Sequence, residues 1–256
     1  MPENVNVIDE PIVFWGEDSL ALKDEVKDVI NYGTVEAGSD SNTKKFFIMN
    51  NRNGEKDVPK MENVTFTTRD RQGGLGNTPG SEVEAVKDSW FMVKVDSLGE
   101  SSYTEVGAGG SSSSNPTGEK ALGTNGSTTS RWKEDAVTWG ETQHYNVGQF
   151  IKPTAGVTDF VYQVVLEGTT GSTEPTWNLS EGGNTMDGTV TYRTYKVVQK
   201  PKAQELLGIA NKVNPDGSGA ENAAGNFAEI TAYAEVPDDA TSGVNKLLFR
   251  VNYQYV

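Results

Sequence analysis

The chain has 256 residues, with 36 acidic and 22 basic side chains that give a formal net charge of −14 at pH 7. A surface of this charge repels phosphate backbones, and the Lys and Arg residues are too scattered to form a basic patch, so we expect no nucleic-acid partner. The sequence has no cysteine, which excludes disulfides, thiolate metal sites and cysteine nucleophiles, and its 28 glycines with only 35% apolar residues predict modest cores and many turns.

The first periodic segment, residues 18–31, is compatible with two conformations. The apolar side chains recur at helical spacing behind a candidate cap at Ser19. The same residues also fit an extended segment, so both alternatives stay open. The apolar positions are Leu22, Val26, Val29 and Ile30.

The next two segments predict β-strands. Residues 45–50 and 63–70 are short, rich in β-branched and aromatic side chains, and bounded by turn residues. Between them lies an Asn-Gly step at residues 53–54, which is typical of the turn of a β-hairpin. We therefore predict that these two strands pair with each other.

Three further segments predict strands with one buried face. Residues 89–96, 226–236 and 245–256 have apolar side chains at every second position. The last segment is the clearest, since five positions in a row follow the alternation. The alternating residues are Phe91, Val93 and Val95, then Ala228, Ile230, Ala232, Ala234 and Val236, and finally Leu247, Phe249, Val251, Tyr253 and Tyr255.

The middle of the chain changes in composition. Residues 99–131 are mainly Gly, Ser and Thr, which predicts a flexible linker. Residues 132–198 form a second aromatic-rich region, and residues 200–213 have room for one or two helical turns.

We predict a mainly β fold in which residues 1–98 and 200–256 form one discontinuous β-sandwich and residues 132–198 are an inserted β module. Neither flanking segment has the seven or so strands of a sandwich alone. The alternative is three domains in a row.

No catalytic or metal-binding motif stands out. The single histidine, His144, lies in a polar segment without a nucleophile elbow, and we interpret it as a surface residue. Residues 214–219 and 236–243 contain oxygen ligands but lack the full spacing of a calcium loop, so they read as turns. We expect no catalytic residue, no cofactor and no metal, and therefore no enzyme. A polysaccharide hydrolase built on a carboxylate pair is a third, less favoured hypothesis, since such pairs depend on geometry and not on spacing.

The sequence carries no membrane or secretion signal. Its first residues lack the basic and apolar regions of a signal peptide, and no apolar run approaches the ~18 residues of a membrane span. We expect synthesis in a cytoplasm and no membrane insertion.

Four pieces of the inserted region occur in a recognisable order. They are residues 145–148 (Tyr-Asn-Val-Gly), 160–164 (Phe-Val-Tyr-Gln-Val), the loop 168–177 that ends in Glu-Pro-Thr-Trp, and 187–192 (Asp-Gly-Thr-Val-Thr-Tyr). This order resembles a small β module found in tail, baseplate and fibre proteins of tailed bacteriophages. It also resembles the short chitin-binding type of carbohydrate module. The second resemblance implies a glycan platform formed by Trp177, Tyr162 and Tyr145. The alternative is that these aromatic side chains are the module's core, since a domain of some 60 residues buries little surface.

Residues 31–70 show a further resemblance. A Gly-Thr-Val step, a strand that ends in Asn-Asn and a returning Asn-Val-Thr segment resemble immunoglobulin-like (Ig-like) modules that dock on phage capsids, necks and tails. Together the resemblances imply a discontinuous Ig-like sandwich in a virion structural protein of the neck, collar, tail or baseplate. The implied partners are other virion proteins, in a homo-oligomer or symmetric array. The alternative is an adhesin that binds host surface glycans.

Overall fold

The structure is a computed structural model that describes residues 13–108, 115–126, 133, 136–157, 159–211 and 224–256. It confirms the predicted fold class, because the chain is mainly β and forms several antiparallel sheets. The fifteen strands of the described residues are β1 (Val13–Glu17), β2 (Lys44–Asn50), β3 (Met61–Asp70), β4 (Phe91–Val95), β5 (Thr104–Val106), β6 (Lys120–Ala121), β7 (Val137–Thr138), β8 (His144–Tyr145), β9 (Phe150–Lys152), β10 (Phe160–Leu166), β11 (Gly168–Thr169), β12 (Asn184–Asp187), β13 (Val190–Lys196), β14 (Phe227–Ala234) and β15 (Leu247–Tyr255).

The chain divides into two compact units. Unit 1 comprises Met1–Gly126 with Pro201–Val256, and unit 2 comprises Ser127–Lys200. Unit 2 is therefore inserted between two parts of unit 1. The boundaries predicted from the sequence are residues 98 and 200 for the sandwich and residues 132 and 198 for the module.

Unit 1 contains two antiparallel sheets that share one apolar interior. The five-stranded sheet has the order β1-β2-β14-β4-β5, and the three-stranded sheet has the order β15-β3-β6. Alternation along β4 and β14 turns Val93, Val95 and Ile230 into this interior, where all three are fully buried. Strand β15 contributes Phe249, whose ring lies 5.2 Å from those of Phe66 on β3 and Phe91 on β4. An Ig-like strand topology stays a prediction.

The predicted hairpin between residues 45–50 and 63–70 is wrong. Strand β2 pairs with β1 and β14, whereas β3 pairs with β15 and β6, so the two strands lie in different sheets. Asn51 and Asn53 do adopt the left-handed conformation of a turn, with φ of 61° each. The chain uses that turn to cross between sheets, because both strands have apolar faces that are buried against each other in the shared interior.

The prediction of a flexible linker over residues 99–131 is also corrected. Strand β5 extends the five-stranded sheet beside β4, and β6 pairs with β3. Val106 and Leu122 are fully buried in the core of unit 1. These single apolar side chains among polar neighbours fix residues 99–108 and 115–126 to unit 1, and the rest of the predicted linker lies outside the described residues.

Helices are few in the described residues. Residues 18–31 contain only a 3-10 turn at Leu22–Asp24, so the extended alternative describes most of that segment. Residues 200–211 form no helix, because Leu206 is buried and bridges to Met61 in an extended conformation. A short helix, α1 (Glu84–Lys87), and a 3-10 turn at Asp96–Leu98 were not predicted.

Unit 2 is built around a second five-stranded sheet. Its order is β12-β13-β10-β9-β7, and β8 pairs with β11 in a separate two-stranded sheet. The pairs are antiparallel apart from β7 with β9. One face of β10 and β13 supplies Tyr162 and Tyr192 to the core, and a register shift between Val164 and Leu166 interrupts the ladder near the end of β10.

Asp70 organises the turn that follows β3. Its Oδ1 accepts hydrogen bonds from the backbone N–H of Gln72 at 2.9 Å and of Gly74 at 2.8 Å. Its Oδ2 accepts from the N–H of Gly76 at 3.1 Å and from the Thr78 hydroxyl at 2.7 Å. The hydrogen bond from Thr78, helped by those from the backbone, outweighs desolvation and lowers the pKa of Asp70 to about 2.

We expect Asp70→Asn to lower the melting temperature of the protein in a pH-dependent way. An amide cannot accept all four hydrogen bonds with the strength of a carboxylate. Because the pKa is lowered in the folded state, the stabilisation by Asp70 is complete above the unfolded pKa of about 3.9 and is lost as the pH falls toward about 2. Thermal unfolding from pH 7 to pH 2 should therefore show a difference between the two proteins that shrinks below about pH 4. The exposed Asp239→Asn is the control, and a difference that stays constant over this range would contradict the assignment.

Candidate binding surfaces

The three residues predicted to form a glycan platform lie in the core of unit 2. The side chains of Tyr145, Tyr162 and Trp177 are 3%, 0% and 9% exposed. The rings of Tyr162 and Trp177 lie 4.2 Å apart between centroids, and Trp177 also contacts Tyr192 at 5.2 Å. The structure brings the predicted residues together, but in the interior.

The polar atoms of these aromatic side chains are engaged within unit 2. The Tyr162 hydroxyl donates to the Asn178 carbonyl oxygen at 3.0 Å, and burial raises its pKa to about 12. The Tyr145 hydroxyl accepts from the Gly140 N–H at 2.9 Å. A sugar ring needs an exposed aromatic face, so the platform formed by these three residues is corrected in favour of the alternative, a structural core.

Glu174 holds the loop that carries Trp177 against the unit. Its Oε1 accepts from the Trp177 indole N–H at 2.8 Å and from the Thr154 N–H at 2.9 Å, and its Oε2 accepts from the Thr154 hydroxyl. Burial of the carboxyl disfavours its ionisation, but these hydrogen bonds outweigh burial and hold the pKa of Glu174 below its usual range. A tryptophan suits this polar loop because the Trp177 ring completes the core of unit 2, while Glu174 in the same loop accepts the hydrogen bond of the indole N–H.

The opposite face of the five-stranded sheet in unit 2 is accessible. The register places Asn184, Arg193, Gln163 and Phe150 in one row across β12, β13, β10 and β9. Directly opposed residues of neighbouring strands project from the same face, so these four side chains form a continuous line. Arg193 and Asn184 are exposed, and Gln163 and Phe150 are partly exposed.

Aromatic and apolar side chains flank this row. The Phe150 and Tyr195 rings lie 6.0 Å apart in an edge-to-face arrangement. On the other side, Met186 and Leu166 lie on either side of Thr191 on the same face, and Met186 is 77% exposed. We call this set, from Phe150 and Tyr195 across Arg193 to Met186, the outer face of unit 2. It combines apolar area with amide and guanidinium donors.

The outer face was not identified from the sequence, although a signal for it exists. Residues 190–196 alternate strictly: Val190, Tyr192 and Thr194 are buried, while Thr191, Arg193 and Tyr195 face the other way. A period of two predicts two distinct faces. Tyr162, which the carbohydrate-module resemblance implies as a platform residue, belongs to the buried face together with the Trp177 ring that packs on it.

The described residues contain no arrangement typical of catalysis. His144 lies on β8 with its side chain exposed. Among the described residues, neither a Ser hydroxyl nor an Asp carboxylate forms a hydrogen bond with its ring. Asp187, a buried carboxylate of unit 2, accepts from the Trp139 indole N–H at 2.7 Å and from the Gly171 N–H at 2.8 Å. Asp187 thereby fixes two loops and has a structural role.

The described residues also hold no group of three or more His, Cys, Asp or Glu side chains placed to bind a metal ion. Of the two loops considered for calcium, residues 236–243 form a turn closed by the hydrogen bond from the Ala240 N–H to the Pro237 carbonyl. Residues 214–219 lie outside the described residues. Within the described part of the chain, no helix has the length and apolar character required to cross a membrane.

We expect Trp177→Ala to destabilise unit 2 by about 3–5 kcal/mol, because it removes a large buried ring and one of the three hydrogen bonds that Glu174 accepts. The measurement is the free energy of unfolding of the full chain, with unit 2 followed by hydrogen exchange of its backbone amides. Met186→Ala is the matched control and should change stability by less than about 0.5 kcal/mol, since Met186 is exposed. A Trp177→Ala variant as stable as this control would show that Trp177 does not support the core.

Comparisons with known proteins identify no relative. No family model, no curated protein and no solved structure matches the chain.

Proposed function

We propose that the chain is a non-enzymatic structural component of a tailed phage particle, an accessory or decoration protein of the neck, collar, tail or baseplate. Unit 1 attaches to the particle through protein–protein contacts, and unit 2 is displayed outward. The observation that carries the proposal is the insertion of one complete β unit, residues 127–200, into a loop of another.

The insertion suits a protein that attaches through one unit and presents another. Insertions are tolerated at exposed loops because the host domain keeps its own core. Each unit here has a separate apolar cluster, around Phe66 and Ile230 in unit 1 and around Tyr162 and Tyr192 in unit 2. The four sequence pieces that resemble the phage module all fall within unit 2, on β8, β10, the loop after β11 and the β12–β13 turn.

The proposed partners are other virion proteins, and the proposed assembly is a homo-oligomer or symmetric array. Copies arranged around a particle axis bury the same patch at every contact. Because the contact is repeated, even a small interface between two copies can hold the whole assembly together. The net charge of −14 favours solubility before assembly. The proposed location is therefore the virion.

The test is the presence of the chain in particles made by the genome that encodes it. Purified particles are analysed by mass spectrometry and by electron microscopy with antibodies raised against unit 2. We expect the chain at a defined copy number, with antibody at one site on each particle. Particles that lack the chain, or that carry no label while the antibody binds the free protein, would rule the proposal out.

A second candidate function, binding of host surface glycans, is favoured by the outer face of unit 2. There the Phe150–Tyr195 pair lies beside Arg193 and Gln163, which combines ring surface with hydrogen-bond donors. Sugars present apolar C–H faces that stack on aromatic rings, while polar groups fix their orientation. This candidate uses residues other than the buried Trp177 and Tyr162.

We expect that, if this second function holds, the full chain binds fragments of host cell-wall glycan saturably in calorimetry. Phe150→Ala and Arg193→Ala should each weaken binding by about tenfold. The control is Val147→Ala, at an exposed residue of unit 2 outside this face, which should change binding by less than about twofold. Circular dichroism checks that each variant is folded. Equal binding by all four proteins would exclude the outer face as the glycan site.

A further inference from the structure

Strand β15 is the longest strand at a sheet edge among the described residues. It has nine residues and pairs on one side only, with β3. The other edge strands of the described chain have two to five residues, and β1 is bridged at Gly16 by Glu25. A long edge strand offers a row of backbone donors and acceptors to which another strand can pair.

The outward backbone groups of β15 are not used elsewhere in the part of the chain that the structure describes. In an antiparallel pair, the N–H and C=O groups of every second residue point away from the partner strand. No N–H or C=O of residues 247–254 forms a hydrogen bond with a backbone segment other than β3. The free edge is therefore nearly as long as the strand itself.

The usual protections of an edge strand are missing from β15. Such strands are commonly blocked by Pro, by Lys or by a bulge. Strand β15 contains neither Pro nor Lys, and its one charged residue is Arg250. The irregularity in its pairing lies on β3, where Asn63 has a φ of 54° and one extra residue is accommodated opposite the step from Asn252 to Gln254. The edge of β15 is therefore regular.

The core of unit 1 is incompletely covered along β15. The three-stranded sheet that ends in β15 packs on a five-stranded sheet. Phe249, Val251 and Tyr253 pack against the core from β15 but stay partly exposed, whereas Val93 and Ile230 in the facing sheet are fully buried. A further strand beside β15 would cover the exposed parts of these side chains.

We propose that β15 pairs antiparallel with β15 of a second copy of this chain, about a twofold axis at Val251. All nine residues of the strand then take part, and the two three-stranded sheets become one sheet of six strands. Residues that face the core lie opposite residues that face the core, because this register keeps the alternation of both strands in phase. The facing pairs are Leu247 with Tyr255 and Phe249 with Tyr253 on the core side, and Leu248 with Gln254 and Arg250 with Asn252 on the other side.

The sequence of β15 favours a second copy as the occupant. Antiparallel pairing of the strand with itself brings aromatic side chains opposite aromatic or aliphatic ones on the core side, and such cross-strand pairs are stabilising. No like charges lie directly opposite each other. Residues 247–256 contain no acidic side chain, although the whole chain has a net charge of −14, so the contact brings no carboxylate of either strand into the pair. A twofold contact of this kind is closed and self-complementary.

This inference names the contact surface of the homo-oligomer in the proposed function, and it rests on that function for the role of the contact. The association itself is a property of the isolated chain. Its test can therefore fail although the chain is found in particles, and it can succeed although particles lack the chain.

The test compares two double variants of the full chain. Leu248 and Gln254 are exposed and lie about 20 Å apart along β15, at roughly 3.3 Å per residue, so they do not interact within one copy. In the proposed dimer each Leu248 lies opposite Gln254 of the second copy. Leu248→Lys with Gln254→Lys therefore places two cations opposite each other twice, whereas Leu248→Glu with Gln254→Lys places opposite charges there.

Sedimentation equilibrium over a wide range of protein concentration measures the dissociation constant of the dimer. We expect the unmodified chain to dimerise, and the variant with two lysines to dimerise at least about tenfold more weakly than the variant with Glu and Lys. The overall charge predicts the reverse order. Two added lysines change the net charge from −14 to −12, whereas Glu and Lys together leave it at −14, so the mean repulsion between copies is smaller for the weaker dimer.

Hydrogen exchange gives a second measurement that needs no substitution. The backbone amides of β15 should exchange more slowly at high than at low concentration of the unmodified chain, while those of β12, an edge strand outside the proposed contact, should not change. Circular dichroism checks that both double variants are folded, and the exchange data decide if one is not. A monomeric unmodified chain, equal dimerisation of the two folded double variants, or exchange in β15 that is independent of concentration would overturn the proposal.

Discussion

The ring of Phe249 is the point at which the two sheets of unit 1 depend on each other. It projects from β15 and contacts the rings of Phe46, Phe66 and Phe91 at 5.8, 5.2 and 5.2 Å. These rings come from three strands in two sheets, so a single side chain links β2 and β4 of one sheet to β3 and β15 of the other. The core of unit 1 therefore contains side chains from both of its chain segments, the one that ends at residue 126 and the one that begins at residue 201. For this reason the insertion of unit 2 between them does not divide that core.

The parts of this fold that follow a local pattern were predictable from the sequence. Strict alternation identified β4, β14 and β15, because one buried face requires an apolar side chain at every second position. The pairing of β2 was not predictable in this way. The Asn53–Gly54 step predicts a hairpin and a turn does lie there, but β2 pairs with β14, more than 170 residues later, and no local signal encodes such a partner. The burial of Val106 and Leu122 was not predictable for a related reason, since one apolar side chain among polar neighbours has no period.

The binding surfaces show the same division between local and non-local information. An aromatic residue in a polar loop, such as Trp177, can be either a ligand platform or a plug for the core, and the sequence leaves both open. The deciding contacts are the packing of Tyr162 against Trp177 and the hydrogen bond from Thr154 to Glu174, which accepts the Trp177 indole N–H. Only the tertiary structure brings Tyr162 and Thr154 to this loop. A group of acidic side chains at one end of the five-stranded sheet of unit 1 could not be predicted from the sequence either, because Asp40, Glu105 and Glu235 come from three distant segments that only folding brings together.

The path of the chain at the insertion has a consequence for how such a protein can diversify. A Cβ at Gly123, just before unit 2, would lie 3.4 Å from the backbone nitrogen of Gln204, just after it. The segments that enter and leave the insertion are thus neighbours within unit 1, and a turn of a few residues would be long enough to join them. Recombination at these two points can therefore exchange, remove or add unit 2 as a whole. Unit 1 would keep every contact of its own interior.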